Sequence, residues 1–155
     1  ESSAYMAKAT GSSSVIIMML DLDNFKSIND TFGHAVGDAA LKQVARALEI
    51  ELRKTDFIGR MGGEEFAIVM TDTTEAEARA IAERLRQKVE LQARVIEGNQ
   101  VNLTISIGAT CSYKHNSSGF QALLKLADDA LFEAKRRGRN QVVFDYAKND
   151  AKSIG

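Results

Sequence analysis

Two kinds of apolar pattern alternate along this chain. Val15-Ile16-Ile17-Met18-Met19-Leu20 is an unbroken apolar run that stops at Asp21. Such a run predicts a strand buried on both faces, with a carboxylate at its C-terminal end. Phe57-Ile58-Gly59-Arg60-Met61 and Phe66-Ala67-Ile68-Val69-Met70 are strand-like segments on either side of Gly62-Gly63-Glu64-Glu65. A Gly-Gly pair between such segments suits a β-hairpin with a primed turn at Gly62 and Gly63, because glycine adopts positive φ without a steric penalty. Val101, Leu103, Ile105 and Ile107 alternate with Asn102, Thr104, Ser106 and Gly108, the period of a half-buried strand. Gln141–Phe144 predicts a short final strand.

Between these lie helical spacings. Asp23 or Asn24 is placed to cap a short helix reaching Phe32, with Gly33 as its stop. Gly37-Asp38 opens a second helix, whose Leu41, Val44, Ala45, Leu48 and Leu52 fall on one stripe. Thr73 or Thr74 caps a third, with Ile81, Leu85, Val89 and Ile96 on its apolar face and a Glu75–Arg79 pair at i,i+4. A fourth runs from Phe120 to Arg137 with Leu123, Leu124, Ala127, Leu131 and Ala134 inward and Gly138 after its end. Tyr113–Gly119 reads as a polar loop. The interleaving predicts one sheet with helices packed against it, a mixed α/β (α+β) domain over residues 15–145. Residues 1–14 read as a loop or linker remnant, and 146–155 as a polar tail.

Composition narrows the function classes. The net charge of −1 leaves no basic footprint for duplex nucleic acid. No apolar run approaches the ~18–20 residues of a membrane span, and the start is no signal peptide. The single cysteine, Cys111, lies in a strand-like stretch and reads as a small buried residue. These features predict a cytoplasmic domain with no membrane contact of its own. Because position 1 is not methionine, the chain also reads as a piece of a larger, perhaps membrane-bound, protein.

The acids change the picture. Glu64 and Glu65 stand side by side after the glycines, and like charges so close cost energy unless a cation lies between them. Asp21 at a strand end and these two on a nearby hairpin can form an oxygen-rich site of the kind Mg²⁺ takes, completed by substrate phosphates. The alternative is an exposed turn with incidental acids. Lys135 sits in a helix's last turn, where the dipole favours a cation without any ligand. Backbone N–H groups near Asn24 and Phe25, at a helix start, can form an anion site. Arg53 and Asp56 can be no more than a surface ion pair at a helix end. Asn29 can be a helix-end residue and Asp38 an N-cap.

Asp21-Leu22-Asp23-Asn24-Phe25-Lys26-Ser27-Ile28-Asn29-Asp30-Thr31-Phe32-Gly33-His34, then Gly37-Asp38, then Gly62-Gly63-Glu64-Glu65-Phe66, resemble the GGDEF-domain family of bacterial diguanylate cyclases in its GGEEF variant. The resemblance continues through Ala127-Asp128-Asp129-Ala130-Leu131-Phe132-Glu133-Ala134-Lys135 and Gly138-Arg139-Asn140, and so covers Val15 to Phe144. It implies a palm-like nucleotidyl-cyclase fold, with a mainly antiparallel central sheet and the signature hairpin in mid-sheet. It implies condensation of two GTP into cyclic di-GMP with release of two pyrophosphates. Asp21 and Glu65 would bind metal with the Leu22 carbonyl, and Glu64 would be a ligand or the base for the 3′-hydroxyl. Two Mg²⁺ ions per active site are implied, with Mn²⁺ as a substitute.

By the same resemblance Asn29 and Asp38 read guanine, whose N1–H and N2–H₂ donors match a carboxylate. Lys135 and Arg139 would hold the β- and γ-phosphates, helped by Lys26 and the backbone at Asn24 and Phe25. Arg53 and Asp56 would form an inhibitory product site, with Arg84 as a secondary contact. Each domain would hold one GTP, so a homodimer is implied for catalysis, under an N-terminal sensor or regulatory domain. The family's Asp-x-Leu-Thr-Gly-Leu-x-Asn-Arg segment, which helps position nucleotide, is not found before Val15. A second reading is a catalytically silent cyclic di-GMP receptor using Arg53 and Asp56, which the intact Gly62–Phe66 signature disfavours. A third is a cyclase for another purine, which Asn29 and Asp38 disfavour.

Overall fold

The computed structural model describes residues 15–112 and 119–144. The expected loop at 1–14, most of the loop after Cys111 and the tail from 145 lie outside the described residues. Strand β1 (Ile16–Leu22) leads to helices α1 (Phe25–Phe32) and α2 (His34–Glu51). The hairpin β2 (Phe57–Gly62) and β3 (Glu65–Met70) follows, then helix α3 (Glu75–Gln92). A small hairpin, β4 (Val95–Ile96) and β5 (Asn99–Gln100), precedes β6 (Ile105–Cys111), helix α4 (Phe120–Arg136) and β7 (Val142–Phe144). The main sheet has five strands in the order β2-β3-β1-β6-β7. All neighbours are antiparallel except β6 and β7.

The apolar run of β1 is buried along its whole length, as expected of the central strand. Its side chains alternate between two cores. Ile16, Met18, Leu20 and Leu22 join the larger core with α2, α3, Phe66 and Ile68. Ile17 and Met19 join Ala67 and the α4 residues Leu123, Ala127 and Leu131 on the other face. Asp21 continues that second row, so it emerges on the α4 side of the sheet. Helix α4 lies very close to β6 there. A Cβ on Gly108 would stand 2.0 Å from the Leu131 amide nitrogen and 2.4 Å from the Ala127 carbonyl oxygen. Only a residue without a side chain lets the helix approach that near, and the approach sets where Lys135 ends up.

Several element boundaries differ from the pattern reading. Helix α2 begins at His34, with Gly33 at its N-cap position, and not at Gly37. Asp38 is therefore inside the helix and is no N-cap. Neither Asp23 nor Asn24 caps α1 with its side chain; Asn24 holds the N-cap position in a left-handed conformation (φ 56°) without a capping bond. Thr74 does cap α3, and with Glu77 it forms a reciprocal capping box. Helix α3 ends at Gln92, and Ile96 belongs to the β4–β5 hairpin, which tucks it into the core from a different element. The strand expected from Val101 begins only at Ile105, and it is buried on both faces through Cys111 because α4 covers its second side. The hairpin β2–β3 forms one edge of the sheet and not its middle, with β3 against β1. Among the described residues no helix is long and apolar enough to cross a membrane.

Candidate active site

The site gathers at the C-terminal end of β1. Asp21 pairs across the sheet with Glu65 on β3, so both carboxylates rise from the same face. The hairpin reaches this end by an irregular turn. The register shifts between Arg60 and Gly62, and Gly62 pairs with Glu65. The turn residues are thus Gly63 and Glu64, displaced by one from the expected Gly62-Gly63. Gly63 has φ +51° and Gly62 φ +153°, conformations that strain any side chain. Arg60 Nε donates to the Gly63 carbonyl at 2.8 Å and holds the turn. Glu64 is then carried out of strand alternation, and its carbonyl accepts from the Leu22 amide at 3.2 Å. The irregularity allows two neighbouring glutamates to serve one region.

Asp21 is only 7% exposed, and its two oxygens differ. Lys135 Nζ donates to Oδ2. Oδ1 is buried with no hydrogen-bond partner among the described residues, a costly state for a carboxylate oxygen. Burial above all pushes the Asp21 carboxyl above its usual range; Lys135 opposes this, while Glu64 and Asp23 add to it. Glu65 is pushed up for the same main reason, with Asp128, Asp21 and Glu64 adding repulsion and Lys135 opposing it. This acidic group is short of positive charge. Among the described residues no three His, Cys, Asp or Glu side chains form a ready metal cage. The donor set suits a hard ion bound by one or two carboxylates and completed by phosphate oxygens, the habit of Mg²⁺.

A cavity of about 490 Å³ opens beside Asp21. Its walls are Asp21, Leu22 and Asp23 from β1 and its end, Asn24 through Ser27 and Asp30 from the start of α1, Glu64, and Lys135 and Arg139. The sequence-predicted phosphate residues are thus brought together with two of the three acids. Glu65 stands beside Asp21 but is not on the cavity wall. Asn29 and Asp38 lie apart from it on neighbouring helices. A Cβ on Gly37 would meet Asn29 Oδ1 at 1.8 Å, so the Asn29 amide rests directly on the backbone next to Asp38. Asp38 itself is exposed.

Two residues that the sequence reading left out of the site anchor its surroundings. Asp23, expected as a helix cap, is buried, and its carboxylate accepts from Thr104 Oγ1 (2.7 Å), Ser106 Oγ (2.6 Å) and the Asn140 amide (3.0 Å). Asn140 in turn accepts from Arg86 Nη1 at 2.8 Å and donates to Glu90 Oε2 at 2.8 Å. The only sequence signal for either was membership of the resembling stretches.

The Arg53–Asp56 pair forms a separate site at the end of α2. The Asp56 side chain is fully covered and accepts from the Arg53 amide (2.8 Å), Nε (3.1 Å) and Nη2 (2.8 Å). Arg53 Nη2 also donates to Thr73 Oγ1 at 2.6 Å. The guanidinium is pinned along one edge while its side chain stays 45% exposed, more order than a loose surface pair has. Arg84 on α3 donates at 2.7 Å to Glu51, two residues before Arg53.

Comparison with known proteins agrees with this geometry. Residues 2–141 match the family described as "Diguanylate cyclase, GGDEF domain". The chain is 43% identical over 126 residues to diguanylate cyclase A of Treponema denticola, covering 81% of this chain and 34% of that protein. It is 43% identical over 135 residues to the response regulator PleD of Caulobacter vibrioides, covering 86% of this chain and 30% of PleD. The chain therefore spans about a third of the length of these relatives. Among solved structures, the active GGEEF domain of a diguanylate cyclase from Vibrio cholerae superposes with TM-score 0.84 at 30% identity, covering 95% of this chain and 92% of that one. The GGDEF domain of DgcB from Caulobacter crescentus, solved in complex with c-di-GMP, gives TM-score 0.84 at 27% identity, over 94% and 85% of the two chains. With the signature turn, the paired acids and the fold all in place, this chain belongs to the GGDEF-domain family of diguanylate cyclases.

Proposed function

We propose that this domain condenses two GTP molecules into cyclic di-GMP, releasing two pyrophosphates. The observation that carries this reading is the buried, unpartnered Oδ1 of Asp21 beside a cavity that also holds Glu64, Lys135 and Arg139. Asp21, Glu65 and the Leu22 carbonyl would hold Mg²⁺, or Mn²⁺ in its place, with Glu64 completing the set or acting as base. Two bound ions would supply activation of the attacking hydroxyl and neutralisation of charge on the leaving oxygens. Lys135 and Arg139, with Lys26 and the backbone at Asn24 and Phe25, grip the β- and γ-phosphates and hold the α-phosphorus in line. Asn29 and Asp38 select guanine over adenine through the donors on its edge. The 3′-oxygen of one GTP forms a bond to the α-phosphorus of the other. The bond to pyrophosphate breaks, and the hydroxyl proton passes to Glu64 or to water. The same exchange in reverse sense closes the ring.

One domain presents one such cavity, so a twofold dimer supplies the second nucleotide. The relatives' extra length supports an attached sensor or regulatory domain, and GTP as substrate places the reaction in the cytoplasm. Arg53 and Asp56, with Arg84 nearby, would bind product and restrain the enzyme; the pinned guanidinium offers a flat cation to a guanine or a phosphate.

The test is incubation with GTP, with and without Mg²⁺, and separation of products by chromatography. Metal-dependent cyclic di-GMP is the expected result. Asp21→Ala and Glu64→Ala should each reduce it by at least about a hundredfold, as loss of a charge-stabilising group does; clear residual turnover in either would sink the metal assignment. Arg53→Ala should leave the initial rate intact and shift product inhibition to higher cyclic di-GMP concentration. An unmoved inhibition curve would count against that site. GTP binding without any product would favour a silent receptor instead.

A further inference from the structure

The turn after α4 carries two adjacent residues in an unfavourable backbone conformation. Arg139 (φ 64°) and Asn140 (φ 49°) are consecutive residues in the left-handed region, and neither is glycine. Such positions are costly and persist only where surrounding contacts hold them. Three contacts do so here. The Arg139 amide donates to the Ala134 carbonyl at 3.0 Å. The Asn140 side chain is held between Arg86 and Glu90 of α3. The Asn140 amide donates to the buried Asp23 carboxylate, which Thr104 and Ser106 also engage. Arg139 leaves this turn onto the wall of the cavity.

We propose that Asp23 is a positioning residue: through the Asn140 amide it locks the 139–140 turn so that the Arg139 guanidinium is pre-set for the nucleotide's terminal phosphates. The proposal rests on the reading of Arg139 as a phosphate ligand. Both Asp23 oxygens already accept from protein donors, which sets Asp23 apart from Asp21, whose Oδ1 has no partner among the described residues, although the two lie two residues apart on the same cavity. The role of Asp23 is to join β1, β6 and the α4–β7 turn at one point, with α3 gripping the turn from the other side. A guanidinium on a free turn would lose conformational entropy on binding phosphate; on a locked turn that loss has been met in folding.

Two readouts test it, the affinities for GTP and GMP and the hydrogen exchange of the Arg139 and Asn140 amides. Asp23→Ala is expected to weaken GTP about tenfold, the worth of one hydrogen bond to a charged group, to leave GMP unchanged, and to speed exchange at Asn140. Asp23→Asn is expected to stay near wild type, since its amide oxygen can still accept from Thr104 and Asn140 while its NH₂ faces the Ser106 hydroxyl. Asp23→Ala combined with Arg139→Ala should bind GTP no more weakly than Arg139→Ala alone. If Asp23→Ala does not fold, Thr104→Val with Ser106→Ala, which keeps the Asp23 carboxylate but frees it from β6, should show the same GTP-specific loss. Losses that multiply in the double variant would overturn the proposal. So would an Asp23→Asn variant as weak as Asp23→Ala with a raised Mg²⁺ requirement, which would make Asp23 a ligand. Equal wild-type affinity for GTP and GMP would overturn it through its premise, and unchanged exchange at Asn140 would show that the lock itself does not exist.

Discussion

Asp21 occupies a position where folding alone favours an apolar side chain: the end of a buried strand, covered by α4, with one oxygen left unpartnered. Its carboxyl is held above the ordinary 3.8, chiefly by burial. The folded chain therefore binds more protons than the unfolded chain between the ordinary and the raised value. Stability falls as pH rises through that window and stays lower above it. Asp21→Asn is expected to raise Tm at pH 7 by about 2–4 °C while removing activity, and the gain should vanish below the ordinary Asp value of 3.8. Lys135 loses its partner in that variant, but it is a third exposed and the loss is small. Mg²⁺ should raise the wild-type Tm and leave that of Asp21→Asn unmoved, because only a species with the site intact gains from binding. Equal shifts in both proteins would remove Asp21 from the ligand set. Asp38 teaches the complementary lesson. Spacing alone allowed it to be an N-cap, but helix α2 starts four residues earlier, so the capping role falls away.

At the scale of elements, α4 carries Lys135 and leads into the turn that carries Arg139, and its end is fastened by charge. Glu133 is buried, and it accepts from Arg136 (2.6 Å) and Arg137 (2.7 Å). These two guanidinium groups hold its carboxyl down at about 2, from the ordinary 4.5. A depressed acid stabilises the fold fully above 4.5, and that contribution is lost as pH falls toward about 2. Glu133→Gln is expected to melt below wild type at pH 7, with the gap closing over that interval in a pH series of thermal unfolding curves. A gap that stayed constant down to about pH 2 would assign the effect to packing instead of charge. The apolar face of α4 was legible from spacing, and so was its stop near Gly138. Its close seat on Gly108 was not, because glycine in an alternating strand pattern carries no mark of what approaches it. The Glu133 cluster went unread for a similar reason: a charged residue at helical spacing gives no sign of being on the covered side.

For the whole molecule, the proposed reaction needs two nucleotides, and among the described residues one cavity brings Asp21 and Glu64 together with Lys135 and Arg139. The initial rate per milligram of protein is therefore expected to rise with protein concentration and to level off once dimers dominate. A rate per milligram independent of concentration over a dilution series, for a protein shown by sedimentation to be monomeric, would place both nucleotides on one chain and end the dimer reading. The Arg53–Asp56 site lies at the far end of α2 from the cavity-lining helix α1, and Arg84 ties α3 to the same corner. If product binds there as proposed, it binds away from Asp21, so Arg53→Ala should change inhibition without changing the dilution behaviour.

What the amino-acid order determined by itself was the set of elements and the chemistry they carry. The period of apolar residues marked β1, the hairpin and the four helices, since burial of a face dictates that period wherever a face is buried. The acids at the end of β1 and after the glycines marked a candidate cation site, since like charges in company are costly without one. Tertiary structure alone decided how these parts meet. It set the turn one residue later than the glycine pair implied, because the register between β2 and β3 shifts at Met61. It stopped α3 at Gln92 and gave Ile96 to a small hairpin, because a buried residue can reach the core from either element. It made Asp23 a joint between β1, β6 and Asn140, partners 81 to 117 residues away in sequence. Hydrogen bonds over such separations leave no local pattern, and only the packed chain brings their donors to one carboxylate.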